Sequence, residues 1–224
     1  MIPLRDNIPS STRPVVLYLL IAACIVVFLS TLSLGSEGAM QRVVEDYGLV
    51  PAEFTGHTPV QGATPLALRL LTDLFLHGGW LHLIGNMLFL WIFGDNVEDA
   101  MGHGRFLVFY LLCGVAANYA HILANPLSTE PTIGASGAIA GVLGAYLLLY
   151  PRARVLCLVP VWIFLQFVWV PAVLFVPIWV GLQLISGLAS LGIQQSGGVA
   201  WWAHIGGFVS GAFLVRAFAA ARPR

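Results

Sequence analysis

Six apolar stretches alternate with more polar segments along the chain. They cover residues 14–34, 80–99, 105–125, 134–151, 171–191 and 200–220. A helix that crosses the hydrocarbon core of a bilayer needs ~20 predominantly apolar residues. The pattern therefore predicts an all-α membrane protein, in which six transmembrane helices form a single integral membrane domain over residues 1–224.

The segment 155–191 is the one place where the pattern leaves two alternatives open. It contains no charged residue, and it holds three prolines, Pro160, Pro171 and Pro177. These features fit one span that is preceded by an apolar lead-in, and they also fit two spans. The choice decides whether the last apolar stretch crosses the membrane in the same direction as the fourth.

The placement of arginine favours a single span there. Cytoplasmic segments of membrane proteins carry an excess of Lys and Arg. With six spans and both termini in the cytoplasm, the inner segments hold Arg5, Arg13, Arg105, Arg152, Arg154, Arg216, Arg222 and Arg224. The outer side keeps Arg42 and Arg69, both in a long first loop over residues 35–79, where we expect short helical pieces at the membrane interface.

Composition agrees with a membrane environment. Hydrophobic residues make up 58% of the chain and charged residues only 9%, whereas soluble domains carry roughly 25% charged residues. The formal net charge is zero, so there is no basic field to attract nucleic acid. The first apolar run is too long for the hydrophobic region of a signal peptide, and we interpret it as the first span.

Polar side chains are costly inside a membrane, so each one within the apolar stretches is a functional candidate. The candidates are His82, Asn86, Asn118, His121, Ser136, Gln183, Ser186, His204 and Ser210. In the six-span topology His82, Ser136 and His204 each lie within the first few residues of an inward-running span, so they share a similar shallow depth. Asn86 lies one turn below His82 on the same helix face.

Small residues predict that the fourth and sixth stretches pack closely together. The fourth contains Gly137 and Gly141, and the sixth contains Ala203, Gly207 and Gly211, all at four-residue spacing. This spacing lets helix backbones approach closely in lipid. Such a contact would place the serine of the fourth stretch against the histidine of the sixth.

A serine beside a histidine predicts nucleophilic chemistry. A serine hydroxyl is a weak nucleophile until a base takes its proton, and His204 is a suitable base for Ser136. After Asp99 the chain contains one carboxylate, Glu130 in a loop, so no acid is placed to orient the imidazole. The sequence therefore predicts a Ser–His dyad, with helix packing holding the ring.

Peptide hydrolysis also requires stabilisation of a developing oxyanion. Ser136 lies near the start of its helix, where backbone N–H groups are unpaired and the helix dipole favours negative charge. The Asn86 amide and the His82 ring are candidate side-chain donors to the same charge.

Three motifs resemble the signatures of the rhomboid intramembrane serine proteases. They are Gly134-Ala135-Ser136-Gly137, His82-x-x-x-Asn86 and Ala203-His204-x-Gly206-Gly207, within a resemblance that runs over residues 47–215. The resemblance implies Ser136 as nucleophile, His204 as general base, and His82 and Asn86 in the oxyanion hole.

The same resemblance implies the substrates and the setting. Substrates would be single-span membrane proteins, cut near the outer end of their span, without a metal or cofactor. The topology and the short N-terminus favour a bacterial inner membrane over an organelle membrane, with the active site opening to the outer side.

The chain departs from the family pattern at two places. Ala140 stands one turn after the nucleophile, where some members carry an aromatic residue beneath the histidine. The Trp-Arg pair that many members carry in the first loop is missing. The first departure concerns the packing under His204, and the second concerns the shape of the loop.

Other functional classes predict features that the sequence lacks. A zinc protease of the His-Glu-x-x-His type is excluded because that motif is absent. An aspartyl type requires two intramembrane aspartates, and only Asp95 lies near a span. A transporter predicts paired charges at mid-membrane. An inactive relative that binds membrane clients would have lost Ser136 or His204, and both are present.

The remaining polar residues are expected to serve structure. We expect His77 to hydrogen-bond to the first loop. Asn118 and His121 are expected to join neighbouring helices or to lie at the membrane interface.

Overall fold

The computed structural model describes residues 1–162, 164–190 and 199–219. Within these ranges, each predicted apolar stretch contains one helix. The six helices are α1 (Val15–Leu32), α5 (Trp80–Met101), α6 (His103–Ala124), α7 (Ser136–Leu149), α8 (Ala172–Ser190) and α9 (Trp201–Phe218). Residues 191 and 220, the predicted ends of two stretches, lie outside the described residues, as do Arg222 and Arg224.

Length and composition support membrane crossings to different degrees. Three of the described helices, α1, α6 and α8, are individually long and apolar enough to cross a bilayer. A fourth crossing results if α5 is joined to the preceding helical segment 66–75 across an 85° bend. The helix α7 is apolar but has only 14 residues.

The segment 154–171 corrects the all-α prediction. It forms an antiparallel hairpin of β2 (Arg154–Val161) and β3 (Phe164–Pro171), and β2 also pairs with an N-terminal strand, β1 (Ile2–Asp6). Its β-branched and aromatic residues fit a pleated, half-buried surface. The backbone N–H of Ala172 donates to the Ala153 carbonyl over 2.8 Å, so the chain enters and leaves the hairpin at the same place. Of the two alternatives for this segment, the structure favours the single helix with an apolar lead-in.

Buried polar contacts join the sheet and the N-terminal segment to the helix ends. Asp6 accepts hydrogen bonds from the Tyr146 hydroxyl (2.5 Å) and the Asn96 amide (3.0 Å). Burial raises the pKa of Asp6 to about 6. The buried Glu98 carboxylate accepts the backbone N–H groups of Val16 and Leu17 and so caps the start of α1.

The first loop contains short helices, as predicted: α2 (Glu37–Tyr47), α3 (Pro51–Phe54) and α4 (Leu66–Thr72), followed by a 3₁₀ turn at Asp73–Phe75. Arg69 is fully buried and forms a 2.8 Å ion pair with Glu53. The Arg69 guanidinium also donates to the carbonyl oxygens of Thr64 and Gln61. These contacts join Arg69 to three other positions in the loop, so this buried cation helps to hold the loop together.

The predicted close approach of α7 and α9 is confirmed. A Cβ atom on Gly207 would overlap the carbonyl oxygen of Gly137, and one on Gly211 would overlap the carbonyl oxygen of Gly141. Only glycine permits this separation, because any larger side chain would push the two backbones apart. The contact holds the start of α7 against the first turns of α9.

Candidate active site

Ser136 is the first residue of α7, and its Oγ atom lies 2.7 Å from Nε2 of His204. His204 lies in the first turn of α9 and is 7% exposed. The glycine contacts between α7 and α9 bring these two positions together. The structure thus joins the serine and the histidine at hydrogen-bonding distance, as the sequence predicted.

The other ring nitrogen of His204 has a partner that sequence reasoning missed. Oε1 of Gln183, in α8, lies 2.6 Å from His204 Nδ1, and both side chains are buried. The His204 ring therefore has a hydrogen-bond partner in α8 in addition to the helix packing that the sequence predicted. Gln183 stood among the candidate polar residues, but its sequence position does not reveal which way α8 is rotated.

Two tryptophans pack near the His204 ring, Trp179 from α8 and Trp201 from α9. The Trp179 ring lies 5.6 Å from the His204 ring, centroid to centroid, with an interplanar angle of 35°. The Trp201 ring approaches edge-on at 6.3 Å. Trp179 provides an aromatic contact although Ala140 in α7 leaves none from that helix.

His82 and Asn86 lie together on α5, beside Gly134. Gly134 has a φ of 123°, a conformation that strongly favours glycine. A Cβ atom there would lie 2.6 Å from Nε2 of His82 and 3.5 Å from Nδ2 of Asn86. The two α5 side chains therefore line the segment that leads into Ser136.

His82 and Asn86 can each present an N–H donor to the space beside Gly134. Asn86 Nδ2 is buried and has no hydrogen-bond partner among the described residues, and such a buried donor is costly when it is left unpaired. The backbone N–H of Gly78 lies 3.4 Å from His82 Nδ1. In a neutral ring this arrangement leaves the proton on Nε2, the nitrogen nearer to Gly134.

An open cavity of about 1410 Å³ connects these groups. It is lined by His82, Asn86, Ser136, Trp179 and His204, together with residues of the segment before α7. The serine and the histidine therefore share one accessible space with the two candidate donors.

Two other predicted polar residues, Asn118 and His121, have mainly structural contacts. Asn118 donates to the Leu70 carbonyl (3.1 Å) and to Asp73 (3.0 Å), so it joins α6 to the first loop as expected. His121 lies 3.4 Å from the amide of Asn125, the residue that follows α6, and none of its hydrogen bonds among the described residues reaches another helix.

His77, which lies before α5, hydrogen-bonds to the first loop as predicted. Its Nδ1 atom lies 3.2 Å from the Phe75 carbonyl oxygen. Burial, with a smaller contribution from His82, lowers the pKa of His77 to about 4. The ring is therefore neutral at pH 7 and adds no positive charge beside His82.

Comparison with known proteins identifies the family. The family model for the rhomboid domain matches residues 66–221. Rhomboid protease GluP of Bacillus subtilis is 37% identical over 149 residues, which is 66% of this chain and 25% of GluP. Rhomboid protein 1, mitochondrial, of Saccharomyces cerevisiae is 33% identical over 96 residues, or 41% and 28% of the two chains. Presenilin-associated rhomboid-like protein, mitochondrial, of Homo sapiens is 32% identical over 91 residues, or 40% and 24%.

The chain belongs to the rhomboid family, because the family model covers more than half of it. With its apolar helices, it is an integral, multi-pass membrane protein. The matched segment spans about a quarter of the length of these relatives.

Proposed function

We propose that this chain is a serine endopeptidase that hydrolyses peptide bonds in or near the transmembrane segments of other membrane proteins. The observation that carries the proposal is the 2.7 Å separation of Ser136 Oγ and His204 Nε2. His204 takes the hydroxyl proton as Ser136 attacks the carbonyl carbon, and then gives it to the leaving amine as the C–N bond breaks. In the second half of the reaction His204 deprotonates a water molecule, which hydrolyses the acyl-enzyme, and the proton returns to Ser136. The similarity of this chain to Rhomboid protease GluP supports the same reaction.

The oxyanion that forms in this step is stabilised from two helices. The backbone N–H of Ser136, at the start of α7, has no carbonyl partner within its own helix. Asn86 Nδ2 and His82 Nε2 approach from α5, on the other side of Gly134. Donors that are already aimed at the developing charge lower the barrier without reorganisation during the reaction.

Asn86→Ala is expected to lower kcat by about 10²-fold, because one oxyanion donor is removed and the others remain. The measurement is steady-state cleavage by the purified variant beside its thermal unfolding midpoint. An unchanged midpoint with reduced kcat supports the role of Asn86. A loss of activity as large as that of a nucleophile variant, together with a lower midpoint, would show that Asn86 holds the fold instead.

The topology that goes with this function has six spans, formed by α1, α5, α6, α7, α8 and α9, with both termini in the cytoplasm. The site then opens toward the outer side of a bacterial inner membrane, because His82, Ser136 and His204 start inward-running helices. Substrates are single-span membrane proteins that are cut near the outer end of the span. The excess of arginine on the inner side supports this orientation.

Single cysteines test the topology in a background that lacks Cys24, Cys113 and Cys157. Arg152→Cys and Trp162→Cys are expected to be shielded from an impermeant maleimide added outside intact cells, whereas Val199→Cys reacts. Trp162 and Val199 are 97% and 50% exposed in the protein, and labelling of the Trp162→Cys variant after the cells are permeabilised controls for shielding by lipid. Reaction of the Trp162→Cys variant from outside would overturn the single crossing by α8.

The proposed activity itself is tested with the purified chain in liposomes and a labelled single-span substrate. Mass spectrometry of the products locates the cut. A cut near the outer end of the substrate span, absent from protein-free liposomes, is the expected result. Binding of the substrate without cleavage would contradict the proposal and would indicate an inactive relative.

A further inference from the structure

Gln183 is a polar residue of α8 whose side chain faces the protein interior and not the exposed side of the helix. Its neighbour Leu182 is 58% exposed, whereas Gln183 itself is 9% exposed and turned toward α9. Among the described residues, its contact with His204 is the one side-chain hydrogen bond between α8 and another element. The imidazole therefore lies between two partners, Gln183 Oε1 at 2.6 Å and Ser136 Oγ at 2.7 Å.

The distribution of protons along these three side chains follows from their chemistry. An amide oxygen can only accept a hydrogen bond, and a neutral imidazole carries a proton on one nitrogen. Oε1 beside Nδ1 thus favours the tautomer with the proton on Nδ1. Nε2 then presents its lone pair to the Ser136 hydroxyl, which is the arrangement that general-base catalysis needs. The opposite tautomer would set two lone pairs against each other across the Gln183 contact.

We propose that Gln183 is a positioning residue, the third member of a Ser136–His204–Gln183 hydrogen-bond chain that selects the tautomer and the ring orientation of the base. The inference rests on the proposed function, because it assigns His204 the role of base. Ring packing alone leaves the tautomer unspecified, since the Trp179 and Trp201 contacts do not distinguish Nδ1 from Nε2.

A neutral amide suits this position for an electrostatic reason. A carboxylate would orient the ring equally well, but a charged side chain in a lipid-embedded helix is costly. The chain has no Asp or Glu after Glu130, and an amide dipole supplies the acceptor without a buried charge. Gln183 also stabilises the imidazolium that forms during the reaction, because its carbonyl dipole points at the ring.

Three variants separate positioning from structure. Gln183→Met keeps the length of the side chain but removes the strong acceptor, whereas Gln183→Glu keeps an oxygen beside Nδ1. Leu182→Met is the matched control on the exposed face of α8. We expect Gln183→Met to lower kcat by about 10²-fold with KM within about threefold of wild type, since orientation of the base acts on the chemical step. The Glu variant recovers most of this loss, and the control is unchanged.

Nitrogen-15 chemical shifts of His204 test the tautomer without any need for activity. Wild-type protein is expected to show the Nδ1-protonated form, and Gln183→Met a mixture of tautomers. Retention of the pure Nδ1-protonated form and of kcat in Gln183→Met would overturn the role of Gln183. If the wild type proved unable to cleave substrate, the proposed function would fail, while the shifts would still decide whether Gln183 selects the tautomer.

Discussion

Ser136→Ala is expected to abolish cleavage of a single-span substrate while the protein still folds and inserts. The variant lacks the Oγ atom that lies 2.7 Å from His204 Nε2, and no acyl-enzyme can form without it. Loss of the nucleophile in serine hydrolases lowers kcat by about 10⁶-fold, which is a complete loss in practice. The measurement is product formation per enzyme under single-turnover conditions, with circular dichroism to confirm helix content.

Ser210→Ala is the matched control for this variant. Ser210 is also a serine of an apolar helix, but its hydroxyl donates to the Gly207 carbonyl of its own helix over 2.8 Å. Such a bond is the ordinary use of serine in a transmembrane helix, so activity should stay near that of the wild type. Cleavage that survives in Ser136→Ala would exclude Ser136 as the nucleophile.

His204→Ala is expected to cause the second large loss, about 10⁴-fold or more in kcat. Without the imidazole, the Ser136 hydroxyl keeps its proton, because no other described side chain forms a hydrogen bond with it. Gln183, the other partner of the ring, cannot replace it, since an amide is not a useful base. Cleavage by the purified variant, normalised to folded protein, measures the effect.

His57→Ala serves as the control for the histidine variant. His57 is exposed in the first loop, where its ring contacts Thr55, far in sequence from any residue of the site. The His57→Ala variant should cleave substrate at the wild-type rate. Near-normal turnover in His204→Ala would show that another group, such as His82, takes the proton from the serine.

The helices and the contact between Ser136 and His204 were predictable, because polar residues are rare within long apolar segments and are easily identified there. An apolar run needs little further information to be identified as a membrane helix. A serine and a histidine in such runs are costly, so each was a functional candidate from the sequence alone. The glycine spacing supplied the remaining constraint, because close backbone approach selects which helices meet.

The sheet and the partner of the histidine were not predictable in the same way. Apolar residues in 155–170 fit a strand or a span equally well. The pairing of β2 with β3, and with β1 about 150 residues earlier in the chain, decides between them. The Gln183 contact depends on how α8 is rotated against α9. A helix with lipid on most sides carries little hydrophobic asymmetry from which that rotation could be inferred.

The hairpin has a direct consequence for the site. Because Ala153 and Ala172 are hydrogen-bonded to each other, the hairpin begins and ends at the same place, and α8 leads from there toward α9. The starts of α7 and α9 therefore lie side by side. Two crossings within 155–191 would instead reverse α9 and separate His204 from Ser136.

Labelling with a fluorophosphonate tests the central claim most directly, because the probe reacts with an activated serine and with little else. The account predicts one covalent adduct per chain, located on Ser136 by peptide mass spectrometry and absent when His204 is replaced by alanine. An unlabelled wild-type protein, or an adduct on any other residue, would contradict the assignment of Ser136 as a nucleophile activated by His204.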